Sequence, residues 1–167
     1  RFGSGENRQF NDPFDIESLM LDDPEHIMIS SYQNSEGTRR LKKINIYSGR
    51  VINGERSSTR KANFVVTNAG EAVAQIGVLK SWKEEILYKN EKGEWVGLSN
   101  ADNYSLISDY GEHSIIMSHY VGDNTTHIIE LDRFTAKETV IAKLEGIETT
   151  SLNWDIEDKV IGYRTDL

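Results

Sequence analysis

Short runs of apolar residues alternate with polar ones along most of the chain, a period of two that is typical of β-strands. The clearest run follows the turn Gly111-Glu112-His113, where residues 114–120 read SIIMSHY. Similar apolar runs follow Glu25, Glu71 and Asp158. No stretch longer than about ten residues has the 3.6-residue period of an amphipathic helix. The pattern therefore predicts an all-β fold.

An internal repeat accompanies these runs. Each run is preceded by an acidic residue, and the four acidic residues lie 46, 41 and 46 positions apart: Glu25, Glu71, Glu112 and Asp158. A period of about 44 residues built from strands is typical of stacked four-stranded propeller blades. We therefore predict a partial β-propeller with about three to three and a half four-stranded antiparallel blades.

The repeat also predicts how the chain is divided. Residues 1–23 are predicted to be an N-terminal arm with a short helical turn at 15–20, where Asp15 can act as the N-cap. Residues 24–167 are predicted to be the partial propeller. Its blades are expected at about 24–60, 61–100, 101–146 and 147–167, the last of them incomplete.

Equivalent positions in the repeat predict which side chains are buried, and the incomplete first and last blades predict unpaired strand edges. Four apolar residues follow the acidic ones at similar distances and are predicted to be buried, in equivalent strands next to the propeller axis: Ile29, Val73, Ile116 and Val160. The first blade has no predicted strand before Ile27, and the last has only two strands. Unpaired strand edges recruit other chains, so we expect the isolated chain to self-associate.

Composition limits the chemistry and the partners. The 167 residues have a net charge of −8 and contain no cysteine, which excludes disulfides and thiolate metal sites. An acidic chain disfavours nucleic acid as a partner, and no apolar run is long enough to cross a membrane. The densest cationic stretch, Thr38 to Lys43, is predicted to be a solvated strand edge protected by charge. The location stays open between cytoplasm and bacterial periplasm.

Four histidines are the candidate metal ligands. His26, His113, His119 and His127 are spread over two predicted blades and lack the paired spacing of a zinc site. We therefore predict structural or surface roles for them, with no metal and no cofactor. The segment Gly122-Asp123-Asn124 is predicted to be a hairpin turn rather than a calcium loop, since it lacks alternating acidic positions.

The sequence carries no motif for catalysis. A serine hydrolase has a Gly-x-Ser-x-Gly elbow, which is absent, and Phe2-Gly3-Ser4-Gly5 falls in the predicted arm. Trp82, Trp95 and Trp154 are predicted to pack within blades rather than to form a ligand platform. We assign no catalytic residue, and the substrate-binding residues stay unknown.

Several segments resemble the N-terminal propeller of prolyl oligopeptidase-family serine peptidases, including the acylaminoacyl-peptidase and dipeptidyl-aminopeptidase branches. Residues 22–29, DDPEHIMI, are similar to that family's Asp-Pro-x-x-strand pattern, and residues 43–50, KINIYSGR, to its strand ending in Asp/Tyr-x-Gly-Arg. Residues 86–95 resemble its hairpin of tyrosine, charged turn, glycine and tryptophan, and residues 160–163 the strand that follows. The likeness covers roughly residues 12–167 as a pattern.

The resemblance implies a non-catalytic propeller fragment that gates and positions short peptide substrates in a larger peptidase. The α/β-hydrolase domain and its Ser-Asp-His triad would lie outside this sequence, as a partner domain of the same parent protein. The family's propeller has about seven blades, more than this chain can supply. The alternative is a piece of a TolB-like or WD-repeat-like propeller that serves as a protein-interaction scaffold.

Overall fold

The computed structural model describes residues 14–32, 37–79, 81–98, 101–145, 149–154 and 160–165, and most of these residues lie in strands. The strands are β1 (Phe14–Ser18), β2 (His26–Tyr32), β3 (Thr38–Asn45), β4 (Val51–Val66), β5 (Ala72–Val78), β6 (Glu84–Lys89), β7 (Trp95–Gly97), β8 (Tyr104–Tyr110), β9 (Ser114–Gly122), β10 (Thr125–Asp132), β11 (Lys137–Glu145), β12 (Thr149–Trp154) and β13 (Val160–Thr165). One 3-10 turn, Ala101–Asn103, precedes β8. None of these described segments is a helix long and apolar enough to cross a membrane.

All described strand pairings are antiparallel and join neighbours in sequence, which confirms the prediction of an all-β antiparallel fold. Strands β1–β7 form one sheet, β8–β11 a second and β12–β13 a third. The first sheet consists of two four-stranded meanders that share β4, because the first half of β4 pairs with β3 and the second half with β5. We call β1–β4 the first meander, β4–β7 the second and β8–β11 the third.

Strand β4 changes partner near its middle. Arg60 lies opposite both Thr38 of β3 and Val78 of β5, and the register is irregular on both sides of this point. Such irregularities bend a strand and increase its twist. The blade boundary predicted between residues 60 and 61 therefore falls inside this strand.

Strand β1 replaces the helical turn predicted at residues 15–20. Phe14–Ser18 pairs with β2, with a register shift between Ile16 and Ser18. A segment this short is a marginal helix in isolation, whereas pairing along β2 satisfies its backbone groups. The first meander therefore has four strands, and the prediction that no strand precedes Ile27 is wrong.

The three meanders stack face to face through two apolar clusters. The first and second meanders meet through Met20, Met28, Leu41, Phe64 and Val66. The opposite side of the second meander meets the third through Val73, Ile86, Tyr88, Ile115, Met117 and Leu131. The first strands of successive meanders also contact each other, β1 with β4 and β4 with β8. The second meander is thus enclosed between the other two.

The turn between the third and fourth strands repeats in all three meanders. An asparagine or aspartate lies at the end of the third strand or directly after it, and its side-chain oxygen accepts hydrogen bonds of 2.8–3.2 Å from two backbone N–H groups of the turn: Asn45, Asn90 and Asp132. A left-handed residue, with φ of 69°, 76° and 56°, follows in each turn: Gly49, Gly93 and Ala136. Short polar side chains commonly cap turns in this way. The repeat is therefore present in local geometry as well as in the strand pattern.

The hairpin predicted at Gly122-Asp123-Asn124 is confirmed. Asp123 and Asn124 form a two-residue loop between β9 and β10, and both have positive φ, 50° and 57°. This is the geometry of a type I′ turn, whose twist matches that of the flanking strands. The segment acts as a tight turn between paired strands.

The burial predicted from the repeat is confirmed at three of four positions. Ile29, Val73 and Ile116 are 4%, 0% and 0% exposed, and each lies in the second strand of its meander. Val160 begins the second strand of the last sheet, but its side chain lies outside the described residues. The acidic residues therefore mark equivalent strands.

We predict that Ile116→Ala lowers the free energy of unfolding by about 2–4 kcal/mol, since it removes most of a fully buried side chain. Val140→Ala is the control, because Val140 is 45% exposed on β11. Urea unfolding of the two variants measures the difference. A loss below about 0.5 kcal/mol for Ile116→Ala would contradict its place in the core.

Candidate functional site

A buried guanidinium, that of Arg39, is the centre of a polar cluster on the first meander. Arg39 lies in β3 and is 7% exposed. It is directly opposite Tyr32 of β2, while Ser30 is opposite Leu41, so these side chains share the face that meets the second meander. The sheet pairing thus places a cation in the contact between two meanders.

Arg39, on β3, binds groups from three other strands, β1, β2 and β4. Its Nη2 donates to the Asp15 carboxylate on β1, and its Nη1 donates to Ser30 Oγ at 3.3 Å and to Asn63 Oδ1 at 3.4 Å. The guanidinium carbon lies 4.7 Å from the centre of the Tyr32 ring. A planar guanidinium with several fixed donors suits such a multiple contact better than a lysine would.

Glu17 is the second buried charge of the cluster. Its carboxylate accepts a hydrogen bond from Ser30 Oγ and lies 3.7 Å from Arg39 Nη1. Burial raises the pKa of Glu17 above its ordinary 4.5, although Ser30 and Arg39 act in the opposite direction. Because the folded pKa is raised, the stability that Glu17 contributes is present below pH 4.5 and is lost as the pH rises through the folded value.

One end of the cluster reaches the surface. The Asp15 side chain is 58% exposed while one of its oxygens is held by Arg39. Its carboxylate can therefore accept a hydrogen bond from an incoming donor without losing its internal partner. The Ser30 hydroxyl is already engaged within the cluster, since it donates to Glu17.

The prediction for the cationic stretch Thr38 to Lys43 is wrong. Strand β3 is paired on both sides rather than at an edge, and Arg39 and Lys42 are 7% and 6% exposed. Cations are rarely buried, so the sequence pattern favoured a solvated edge. The signal that was missed is the spacing of Asp15 and Glu17, two residues apart. If a strand had been predicted at these residues, that spacing would have placed both carboxylates beside β2.

The structure places His26 and His113 near the ends of strands. His26 Nδ1 lies 2.9 Å from Asp23 Oδ1, and Asp23 also accepts a 2.6 Å hydrogen bond from Lys43 Nζ. Lys43 first, and then His26, lower the pKa of Asp23 to about 2. The His113 ring stacks on Phe134 with 4.1 Å between ring centres.

His119 and His127 are brought together, which sequence reasoning missed. They are opposite each other on β9 and β10, and His119 stacks on Tyr104 with 4.0 Å between ring centres. Among the residues that the structure describes, no group of three potential ligands could hold a metal ion. Detecting the pair required the register of the hairpin, which the Asp123-Asn124 turn sets.

The three tryptophans differ in their surroundings. Trp95 packs against the cluster between the first two meanders, as predicted. Trp82 is 73% exposed and has a left-handed φ of 64°, so the prediction of a packing role is wrong. It belongs to the turn after β5, where its backbone N–H donates to the Leu79 carbonyl. The Trp154 side chain lies outside the described residues, as does the segment Phe2-Gly3-Ser4-Gly5.

A second buried guanidinium lies between the second and third meanders. Arg133 is 6% exposed, and its Nη1 donates to the Lys89 carbonyl oxygen at 3.2 Å. Burial lowers the pKa of Arg133, while Glu71 and Asp109 act in the opposite direction. Lys89 Nζ donates a 2.5 Å hydrogen bond to Glu55 Oε1. These contacts join neighbouring meanders, and the Glu55 side chain is 43% exposed.

Compared with known proteins, the chain matches no family model and no curated protein. The likeness to prolyl oligopeptidase-family propellers stays a prediction from sequence motifs.

We predict that Arg39→Met lowers the free energy of unfolding at pH 7 by about 3 kcal/mol, because it leaves the buried Glu17 carboxylate without its cation. The loss should be smaller at pH 4, where Glu17 takes up a proton. Arg50→Met is the control, since Arg50 is exposed on the turn after β3. Urea unfolding at both pH values measures this, and an equal loss at the two would contradict an electrostatic role.

Proposed function

We propose that the chain is a partial β-propeller that gates and positions peptide substrates for a prolyl oligopeptidase-like serine peptidase, without catalytic residues of its own. The observation that carries the proposal is the stacking of three four-stranded meanders whose first strands contact each other. In a propeller, blades pack face to face around a central channel. Contacts of β1 with β4, and of β4 with β8, are those expected of the innermost strands.

The Arg39 cluster supports a binding role within this arrangement. Asp15 lies on β1 and Asn63 in the second half of β4, so the cluster joins two of the proposed innermost strands. The exposed Asp15 carboxylate would then face the channel, where an N–H group of a passing peptide could donate to it. Arg39 and Tyr32 would hold the carboxylate in place, and an acceptor fixed in advance binds at lower entropic cost.

The partners follow from the proposed parent protein. An α/β-hydrolase domain would supply the nucleophile, and short peptides would be the substrates. Self-association of the isolated chain also stays a prediction. Its N-terminal edge is now β1 rather than β2, because β1 completes the first meander.

The alternative is a scaffold that binds other proteins. It is favoured by large side chains exposed at turns, Tyr47 after β3 and Trp82 after β5, which are 79% and 73% exposed. Under this alternative, the two side chains would contribute to apolar interaction surfaces. The two proposed functions predict different neighbouring domains in the full polypeptide. A Gly-x-Ser-x-Gly elbow followed by aspartate and histidine favours the peptidase, and further blades alone favour the scaffold.

A fluorophosphonate probe, which labels activated serines, tests the proposal. We expect no labelling and no peptide hydrolysis by the 167-residue chain, but labelling of the full polypeptide that contains it. The full polypeptide should cleave short peptides and leave the same sequence uncut inside a folded protein. A labelled serine within residues 1–167 would contradict the non-catalytic role, and an unlabelled full polypeptide would contradict the peptidase.

A further inference from the structure

A groove of about 530 Å³ lies where β4 passes from the first meander to the second. Its walls are the start of β3, the middle of β4 and the end of β5, joined by the double pairing of Arg60 with Thr38 and Val78. Gly77 brings β5 close to β4, because a Cβ there would lie 2.7 Å from Thr59 Cβ and 2.9 Å from the Arg60 carbonyl oxygen. The groove is thus built into the bend of the sheet, and its volume is typical of small-molecule sites.

The groove is lined by hydroxyl-bearing residues and one arginine. Ser58, Thr59, Arg60 and Ser81 are among its lining residues, beside the apolar Val78 and Leu79. Ser58 Oγ accepts a 3.3 Å hydrogen bond from Gln75 Nε2, which leaves the Ser58 hydrogen available to a ligand. Thr59 Oγ1 is buried without a hydrogen-bond partner among the described residues.

Arg60 brings a positive charge to this groove. Within the described residues, Arg60 has no ion-pair partner. Arg56 Nη2 donates to Thr38 Oγ1 at 3.1 Å, and Lys61 follows Arg60 in β4. Among the described residues, Glu84 brings a carboxylate to this part of the sheet, since it is opposite Val78, and it is exposed. A chain with a net charge of −8 repels anions from most of its surface, so a local cationic groove is distinctive.

We propose that this groove binds a small organic oxyanion, a carboxylate or a phosphate ester. Arg60 supplies the charge, and Ser58 and Ser81 donate hydrogen bonds to the anionic oxygens. Charge-assisted hydrogen bonds of guanidinium to such groups are among the strongest in proteins. Val78 and Leu79 provide apolar surface for the carbon part of the ligand. The proposal does not depend on the peptidase function, since none of its residues belongs to the Arg39 cluster.

Titration calorimetry of the 167-residue chain tests the proposal with three probes: succinate, phenyl phosphate and the neutral succinamide. We expect saturable binding of at least one anion, no binding of succinamide, and weaker binding at about 0.15 M salt than at low salt. Tighter binding of succinate would assign the site to carboxylates, and tighter binding of phenyl phosphate to phosphate esters. No saturable binding of either anion would overturn the proposal.

Three variants separate a specific site from general attraction of anions. Arg60→Gln should weaken binding by about tenfold or more, and Ser58→Ala by a smaller factor, because each removes a donor to the anion. Arg50→Gln removes the same charge from an exposed turn outside the groove and should leave binding unchanged. Equal weakening by Arg60→Gln and Arg50→Gln would overturn the proposal. Arg60→Lys retains the charge. It should restore part of the affinity if Arg60→Gln weakens binding by removing the charge rather than by unfolding the chain.

Discussion

The double pairing of β4 is the constraint on which the rest of the described structure depends. Because Arg60 is hydrogen-bonded into the ladders with both β3 and β5, the first two meanders cannot move independently of each other. The shared strand thereby determines which faces of the two meanders pack together, at Met28, Leu41 and Phe64. It also places β1 beside β4 and creates the groove at the bend. A change in this one strand would alter the core, the polar cluster and the groove together.

The contacts between meanders contain buried cations as well as apolar side chains, and the cations make these contacts specific. Arg39 joins the first meander to Asn63, and Arg133 joins the third to the Lys89 carbonyl. A change in the alignment of the meanders would break these directional hydrogen bonds, although the Nε of each guanidinium has no hydrogen-bond partner among the described residues. The net stabilisation from such pairs is small compared with that from apolar burial. Their main effect is to determine how the meanders are aligned.

Periodic features of the fold could be predicted from the sequence, and features that depend on pairing could not. The apolar runs after Glu25, Glu71 and Glu112 identified the second strand of each meander, because side-chain alternation is a local property. The strand β1 was missed because its apolar positions are exposed, Phe14 at 47% and Ile16 at 58%, so no buried alternation marks it. The burial of Arg39 and the adjacency of His119 and His127 depend on which strands pair and in what register. Neither can be read from composition or spacing alone.

Cross-strand nuclear Overhauser effects at Arg60 test the double pairing of β4, since a strand shared by two meanders must have neighbours on both sides. We expect contacts from the Arg60 backbone protons to those of Thr38 on one side and of Val78 on the other. Contacts to only one of these residues would mean that β4 belongs to a single meander. The stacking of the meanders, the position of the Arg39 cluster and the groove at the bend would then all be contradicted.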